Sequence, residues 1–215
     1  MSVVIFGAGP LAKMLYYYLT EDSNIQVDAF TLNSKYITGE EKLMRPLIPF
    51  ERLRESLPNV SILPGIGYNH MNNIRKAVIK NIRAENYPIL SYIHPTATIA
   101  KNCIYGDGFI VLEQVVVQPF VTIGEGCIVF NSSTISHDAI VGSYNWFAPH
   151  VCISGDVKIG NNCFLGSNST IKNGISIADY SLVGANSFVR KDTVEKQVIK
   201  ASKCEYITDI EYNQL

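Results

Sequence analysis

His137 and Asp138 place an imidazole beside a carboxylate, the pairing that moves a proton at neutral pH. Near the start, Gly7-Ala8-Gly9-Pro10-Leu11-Ala12 follows the apolar run Val3-Val4-Ile5-Phe6. In that pattern a strand feeds a glycine turn and then a helix N-terminus, whose free N–H groups receive phosphate. The first group suggests acid–base chemistry and the second a phosphorylated ligand. Gly7-x-Gly9-x-x-Ala12, with Asp28 about 20 residues on, also fits the dinucleotide fingerprint. A dinucleotide domain needs a second βαβ half, however, and this chain changes character instead. A nucleotide-linked substrate is therefore expected rather than NAD.

The other candidates have plainer explanations. His94 precedes Pro95 and reads as a turn residue, His70 as a cap or surface group near a helix start, and His150 as an outward bend. Five cysteines with no CxxC spacing suggest neither a disulfide framework nor a zinc site, so no metal is expected. Cys103, Cys127 and Cys163 share one repeat position and read as small core residues. Cys152 aims outward but has no histidine placed to activate it, so an acyl-cysteine route is not expected.

The elements that must position these groups show in the periodicity. Every sixth residue from Ile93 to Val189 is large and apolar, seventeen positions without a slip. A period of six is a multiple of the strand repeat of two and not of 3.6, so it specifies short strands. Two places earlier, fourteen of the seventeen residues are Ala, Cys, Ser or Val, and glycine recurs just after the apolar residue, at Gly106, Gly124, Gly142, Gly160, Gly166 and Gly184. Large inward residues, small ones at corners and glycine in the bends describe a chain coiling about a narrow core. The same segment holds only nine of the 37 charged residues.

Before residue 90 the pattern is different. Short apolar strands at 3–6, 26–31 and 60–63 alternate with helices at about 12–19, 50–56 and 69–86, which implies a small parallel sheet. The organisation expected is a Rossmann-like βαβ domain over 1–90, a β-solenoid over 91–192 and a tail over 193–215. The 215 residues are 47% hydrophobic and 17% charged, with net charge −1. That balance excludes a disordered chain and argues against nucleic acid or an anionic membrane as partner. With no apolar run of membrane-spanning length, a cytoplasmic location is expected.

Ile-Gly-Asn-Asn-Cys-Phe-Leu-Gly at 159–166 and its neighbours resemble the hexapeptide repeats of left-handed parallel β-helix acyltransferases. Three hexads make one 18-residue coil there, so between five and six coils are implied, stacked about 4.8 Å apart. A glycine-rich βαβ domain joined directly to such a helix resembles the NeuD/PglD type of nucleotide-aminosugar N-acetyltransferase, and within it the VioB-like enzymes acting on dTDP-4-amino-4,6-dideoxyglucose. The resemblance implies acetyl-CoA as co-substrate, a nucleotide-linked amino sugar as acceptor, and a homotrimer with active sites between subunits. It implies His137 as general base, Asp138 raising its basicity, and the N–H of Gly155, one coil of 18 residues further on, as oxyanion donor. It implies a nucleotide-sugar site at Gly7, Gly9, Pro10, Leu11, Gly67, Tyr68 and Asn69. Asn33 stands near an acidic position that reads the base in some relatives. Acetyl-CoA contacts fall on Trp146, Ser167 and Ala185, whereas Lys200 and Lys203 read as solvated lysines, with contact to the CoA phosphates as the alternative. A sugar O-acetyltransferase of the same fold and a non-catalytic binding solenoid are the alternatives.

Overall fold

The computed structural model describes residues 2–23, 25–37 and 41–201. Strands β1 (Ser2–Phe6), β2 (Val27–Leu32), β3 (Glu41–Lys42), β4 (Arg45–Pro49) and β5 (Val60–Pro64) form one sheet in the order β3-β4-β2-β1-β5. β3 pairs antiparallel with β4, and every other pair is parallel. The hairpin β3–β4 lies where the sequence suggests only a loop. Helices α1 (Pro10–Tyr17), α2 (Leu53–Ser56) and α3 (Asn73–Ala84) complete the domain.

α1 starts at the proline because Pro lacks the N–H that a first helical residue leaves unused. α3 begins four residues later than expected. His70, Met71 and Asn72 have φ of 51°, 50° and 64°, a left-handed run that cannot belong to an α-helix. β1 and β5 lie side by side at the point where the strand order reverses, and in such sheets ligands bind beyond the carboxyl ends of those strands.

Pro88 and Leu90 bond to Ile62 at the open edge of β5, and the chain passes directly into the solenoid. Three parallel ladders of two-residue strands form the faces of a triangular prism. Face one runs from Tyr92–Ile93 to Val198–Ile199, face two from Thr98–Ile99 to Phe188–Val189, and face three from Ile104–Tyr105 to Ser176–Ile177. Within each face, strands of successive coils pair 18 residues apart, as Val117 with Ile135 and Ile135 with Ile153. Only the last rung departs, Leu182 pairing with Val198, and it carries the prism beyond residue 192.

The inward column is buried from Val111 to Val189 and forms one continuous core. The first coil departs, with Ile93 and Ile99 half-buried and Tyr105 41% exposed, since no earlier coil covers them. The glycines after the inward residues have a different purpose from the bends expected of them. A left-handed residue does recur every six positions, from Gly108 to Asn186, but two places later, and most of those residues are not glycine. The recurring glycines sit where successive coils touch: a Cβ on Gly142 would fall 2.6 Å from the Gly160 carbonyl oxygen.

The α/β domain covers face one. Outward residues Tyr92, Ile110, Ile128 and Trp146 are buried together with Leu11, Leu15 and Leu19 of the first helical segment. At the adjoining edge Arg83 pairs with Glu125 and Asp107, and the Tyr144 hydroxyl donates to Glu125. Burial alone would raise the Glu125 pKa, but these donors outweigh it and hold the carboxyl below its ordinary value.

Candidate active site

His137 lies on the edge between faces two and three, opposite face one. Asp138, next in the chain, has φ 60°, a left-handed corner that a short acidic side chain tolerates. That corner turns the carboxylate back onto its neighbour, with Oδ2 2.9 Å from His137 Nδ1. A carboxylate only accepts, so Nδ1 carries the proton and Nε2 is left as the free base. The His137 N–H donates to Gln118 Oε1 at 2.9 Å, which ties the residue to the preceding coil. Both side chains of the pair remain about half exposed, 56% and 51%, so Nε2 is open to a substrate.

The 18-residue register puts Pro119 on one side of His137 and Gly155 on the other, as the repeat predicts. Asp138 N–H donates to the Pro119 carbonyl, and Asp156 N–H to the His137 carbonyl. The notch expected at Gly155 is filled by the imidazole itself, and Gly155 is buried beneath it.

The residues expected at a nucleotide site gather at the carboxyl end of the sheet, with differences among them. Gly7 has φ +134° and crosses Gly65 closely, since a Cβ there would lie 2.5 Å from the Gly65 carbonyl oxygen. Gly9 and Gly67 are different: a Cβ on either meets nothing within 4 Å. Their glycines leave backbone open to a ligand rather than relieving a clash. Gly9 and Pro10 are exposed, whereas the Leu11 side chain is in the core and offers only its backbone. Tyr68 is half exposed, with its ring 5.0 Å from those of Trp146 and Phe164, and Asn69 is exposed beside it.

Asn33 lines a cleft of about 790 Å³ with Phe6, Leu32, Glu51, Ile66 and His70. Glu51 was not singled out by sequence, and it organises the near wall. It accepts from Asn33 Nδ2, Ser34 N–H and Ser34 Oγ, and the Ser34 hydroxyl above all holds its pKa below the ordinary value. Asp28 lies at the other end of the sheet, bonded to Ser2 and the Val3 N–H, and cannot read a ribose.

The three cofactor candidates are not brought together. Ser167 and Ala185 are neighbours in successive coils on the edge between faces one and two, where a Cβ on Gly166 would meet the Ala185 N–H at 2.6 Å. Trp146 instead is 7% exposed between the domains, 4.7 Å from Phe130 and 5.0 Å from Tyr68. That burial, not a free edge, accounts for the indole. Periodicity did not single out a cleft of about 660 Å³ at the C-terminal end of the prism, where Lys172, Arg190 and Lys191 surround the exposed Phe188. Lys200 lies within the described residues and Lys203 outside them.

Among the described residues, His94 has the only other histidine–carboxylate contact, Nε2 lying 3.4 Å from Asp22 Oδ2. His94 is buried against Tyr18, with Nδ1 2.9 Å from Thr96 Oγ1. Burial pushes the Cys127 thiol up to about 11 and Cys163 up to about 12, so both stay protonated. Among the described residues no His, Cys, Asp and Glu cluster could hold a metal ion, and no helix is long and apolar enough to cross a membrane.

Fold and repeats together define a left-handed parallel β-helix built of six-residue repeats and preceded by a Rossmann-like domain. Residues 138–173 match the bacterial transferase hexapeptide (six repeats), and residues 156–191 the hexapeptide repeat of succinyl-transferase. UDP-N-acetylbacillosamine N-acetyltransferase of Bacillus subtilis (strain 168) is 25% identical over 114 residues. The match spans about half of each chain, 52% of this one and 51% of that protein. The acetyltransferase domain of PglB from Neisseria gonorrhoeae, solved with acetyl coenzyme A, superposes with a TM-score of 0.81 at 22% identity, covering 92% of this chain and 94% of that one. Perosamine N-acetyltransferase from Caulobacter crescentus, solved with CoA and GDP-perosamine, gives 0.83 at 23% identity over 92% of both. The likeness in fold thus extends over both the α/β domain and the β-helix.

Proposed function

We propose that this chain is an acetyl-CoA-dependent N-acetyltransferase that acetylates the amino group of a nucleotide-linked sugar. The observation that carries the reading is the His137–Asp138 pair on an open edge of a hexapeptide β-helix, Nδ1 anchored and Nε2 free. An amine attacking a thioester must lose a proton, and His137 takes it directly, with no covalent enzyme intermediate. Asp138 fixes the tautomer that leaves Nε2 free and holds the ring in place. Gly155, whose N–H donates to no described residue, supplies the oxyanion donor.

The nucleotide lies at the carboxyl end of the α/β sheet, against the open backbone of Gly9 and Gly67 and in the cleft that Asn33 and Glu51 line. The co-substrate fits the edges flanking face two. Three stacked coils, about 14 Å, separate His137 from the level of Lys191, and the cations there suit the phosphates of CoA. Ser167 and Ala185 border the same face. Trp146 is not part of this proposal.

In one chain the α/β domain covers face one, while His137 stands on the opposite edge. A sugar held by the α/β domain therefore meets the histidine of a neighbouring copy, which supports a homotrimer. The curated relative and one solved neighbour act on or bind UDP- and GDP-linked sugars by name. For this chain we propose a 4-amino-4,6-dideoxyhexose on dTDP, acted on in the cytoplasm.

The test is CoA release from acetyl-CoA with dTDP-, UDP- and GDP-linked amino sugars, and with their hydroxyl counterparts, by wild type and His137→Ala. Turnover of one amino sugar to an alkali-stable product, largely lost in the variant, is expected. Turnover only of hydroxyl sugars to alkali-labile esters overturns the N-acetyl reading. No turnover with any acceptor overturns the enzyme.

A further inference from the structure

The turn that closes the nucleotide cleft is held in an unfavourable shape by the β-helix. His70, Met71 and Asn72 are three consecutive left-handed residues, a run that L-amino acids adopt only where their surroundings over-determine it. Each neighbour of the run contributes. Asn72 is fully buried, its Nδ2 donating to the Cys163 carbonyl at 3.1 Å and its N–H to the Tyr68 carbonyl at 3.0 Å. Asn162 donates to the Met71 carbonyl at 3.0 Å, and Tyr180 to Asn73 Oδ1 at 3.3 Å.

Arg75 is the centre of this arrangement. Its guanidinium is completely buried between the domains and is surrounded by six oxygens, none of them a carboxylate. Nε donates to Gly126 O at 2.8 Å, and Nη2 to Tyr144 O, Asn145 O and Asn72 Oδ1 at 3.0–3.2 Å. Nη1 donates to Gly67 O at 3.1 Å and Ile66 O at 3.4 Å. Three carbonyls thus come from the solenoid and two from the turn. A buried cation is a poor device for stability, because apolar side chains of similar size usually do as well, but its fork fixes geometry.

What it fixes is ligand-facing. Ile66 and His70 line the cleft with Asn33 and Glu51, and His70 also lines a second cleft of about 710 Å³ with Tyr180 and Lys196.

We infer that Arg75 and Asn72 are positioning residues of the nucleotide-sugar site: they clamp the 66–72 turn, and with it His70, onto the β-helix. The inference rests on the nucleotide-site assignment above. It makes the wall of the nucleotide cleft a joint product of both domains.

The test is direct binding of dTDP, UDP and GDP, and separately of acetyl-CoA, to wild type, Asn72→Gly and Arg75→Lys, by calorimetry, with hydrogen exchange over residues 66–72. Glycine at 72 keeps the left-handed backbone and removes only the side-chain bonds, so this variant folds even where Arg75→Lys does not. The nucleotide that binds wild type is expected to bind Asn72→Gly at least 10-fold more weakly, with acetyl-CoA affinity within two-fold and faster exchange in the turn. Unchanged nucleotide affinity with a lowered melting temperature makes the cluster a structural weld only and overturns the inference, leaving the proposed function standing. Wild type that binds none of the three nucleotides overturns the inference together with the site on which it rests.

Discussion

The imidazole of His137 lies across the α-carbon of Gly155, one coil further along the same edge. A Cβ on Gly155 would fall 2.6 Å from His137 Cε1 and 2.7 Å from Nε2. The ring is thus held from two sides, by Asp138 at Nδ1 and by a position that admits no side chain.

Gly155→Ala tests that contact. Its φ is not in the left-handed region, so alanine suits the backbone and the strain falls on the imidazole. Activity is expected to fall at least about 10-fold, with a melting temperature within a few degrees of wild type, because displacing a catalytic group by about 1 Å is costly. Undiminished CoA release would show that the ring's seat is irrelevant to turnover.

His137→Ala should lower kcat by about 10²–10⁴-fold, the usual worth of a general base, with little change in KM for either substrate. Steady-state kinetics distinguish this from a binding role, in which KM rises and kcat persists.

Two glycines of the first loop should respond differently. Gly7→Ala puts a Cβ at φ +134° against the Gly65 carbonyl and should cost about 2 kcal/mol or more, roughly 4–8 °C in melting temperature. Gly9→Ala meets open space and should leave the melting temperature unchanged while weakening nucleotide binding. Thermal melts paired with nucleotide titration read both effects, and a stable Gly7→Ala would contradict the packing described.

The interdomain carboxylate predicts a pH dependence. The Glu125 pKa is depressed in the folded chain, so its contribution is complete above the ordinary carboxyl value of about 4.3 and is lost as pH falls through the folded value. Wild type should therefore lose melting temperature more steeply than Glu125→Gln on acidification below about pH 4.5. Parallel curves would mean that the Arg83 and Tyr144 contacts contribute nothing to stability.

The legible parts were those that repeat or follow local rules. Seventeen apolar residues six apart specify a coil whatever surrounds them, and a coil length of 18 places Gly155 beside His137 by counting alone. The glycine loop after β1 is equally local. The β3–β4 hairpin was missed because its two-residue arm has no periodicity to read. Trp146 was expected at acetyl-CoA by resemblance alone, and only the docked α/β domain shows its outward side covered. Arg75 resembles any solvated cation on an amphipathic helix, and nothing near it in sequence supplies the carbonyls that bury it.

By itself the sequence determined the prism, its register and the meeting of His137, Asp138 and Gly155, since all follow from strand periodicity and a constant coil length. The tertiary structure alone decided which face the α/β domain covers, that the notch at Gly155 holds the imidazole, and that Arg75 and Asn72 hold a left-handed turn beside the cleft that Asn33 and Glu51 line. Those features depend on contacts between residues as far apart as 107 positions, Asn73 with Tyr180. No local pattern encodes such contacts, because their free energy arises only when two separately formed surfaces are brought together.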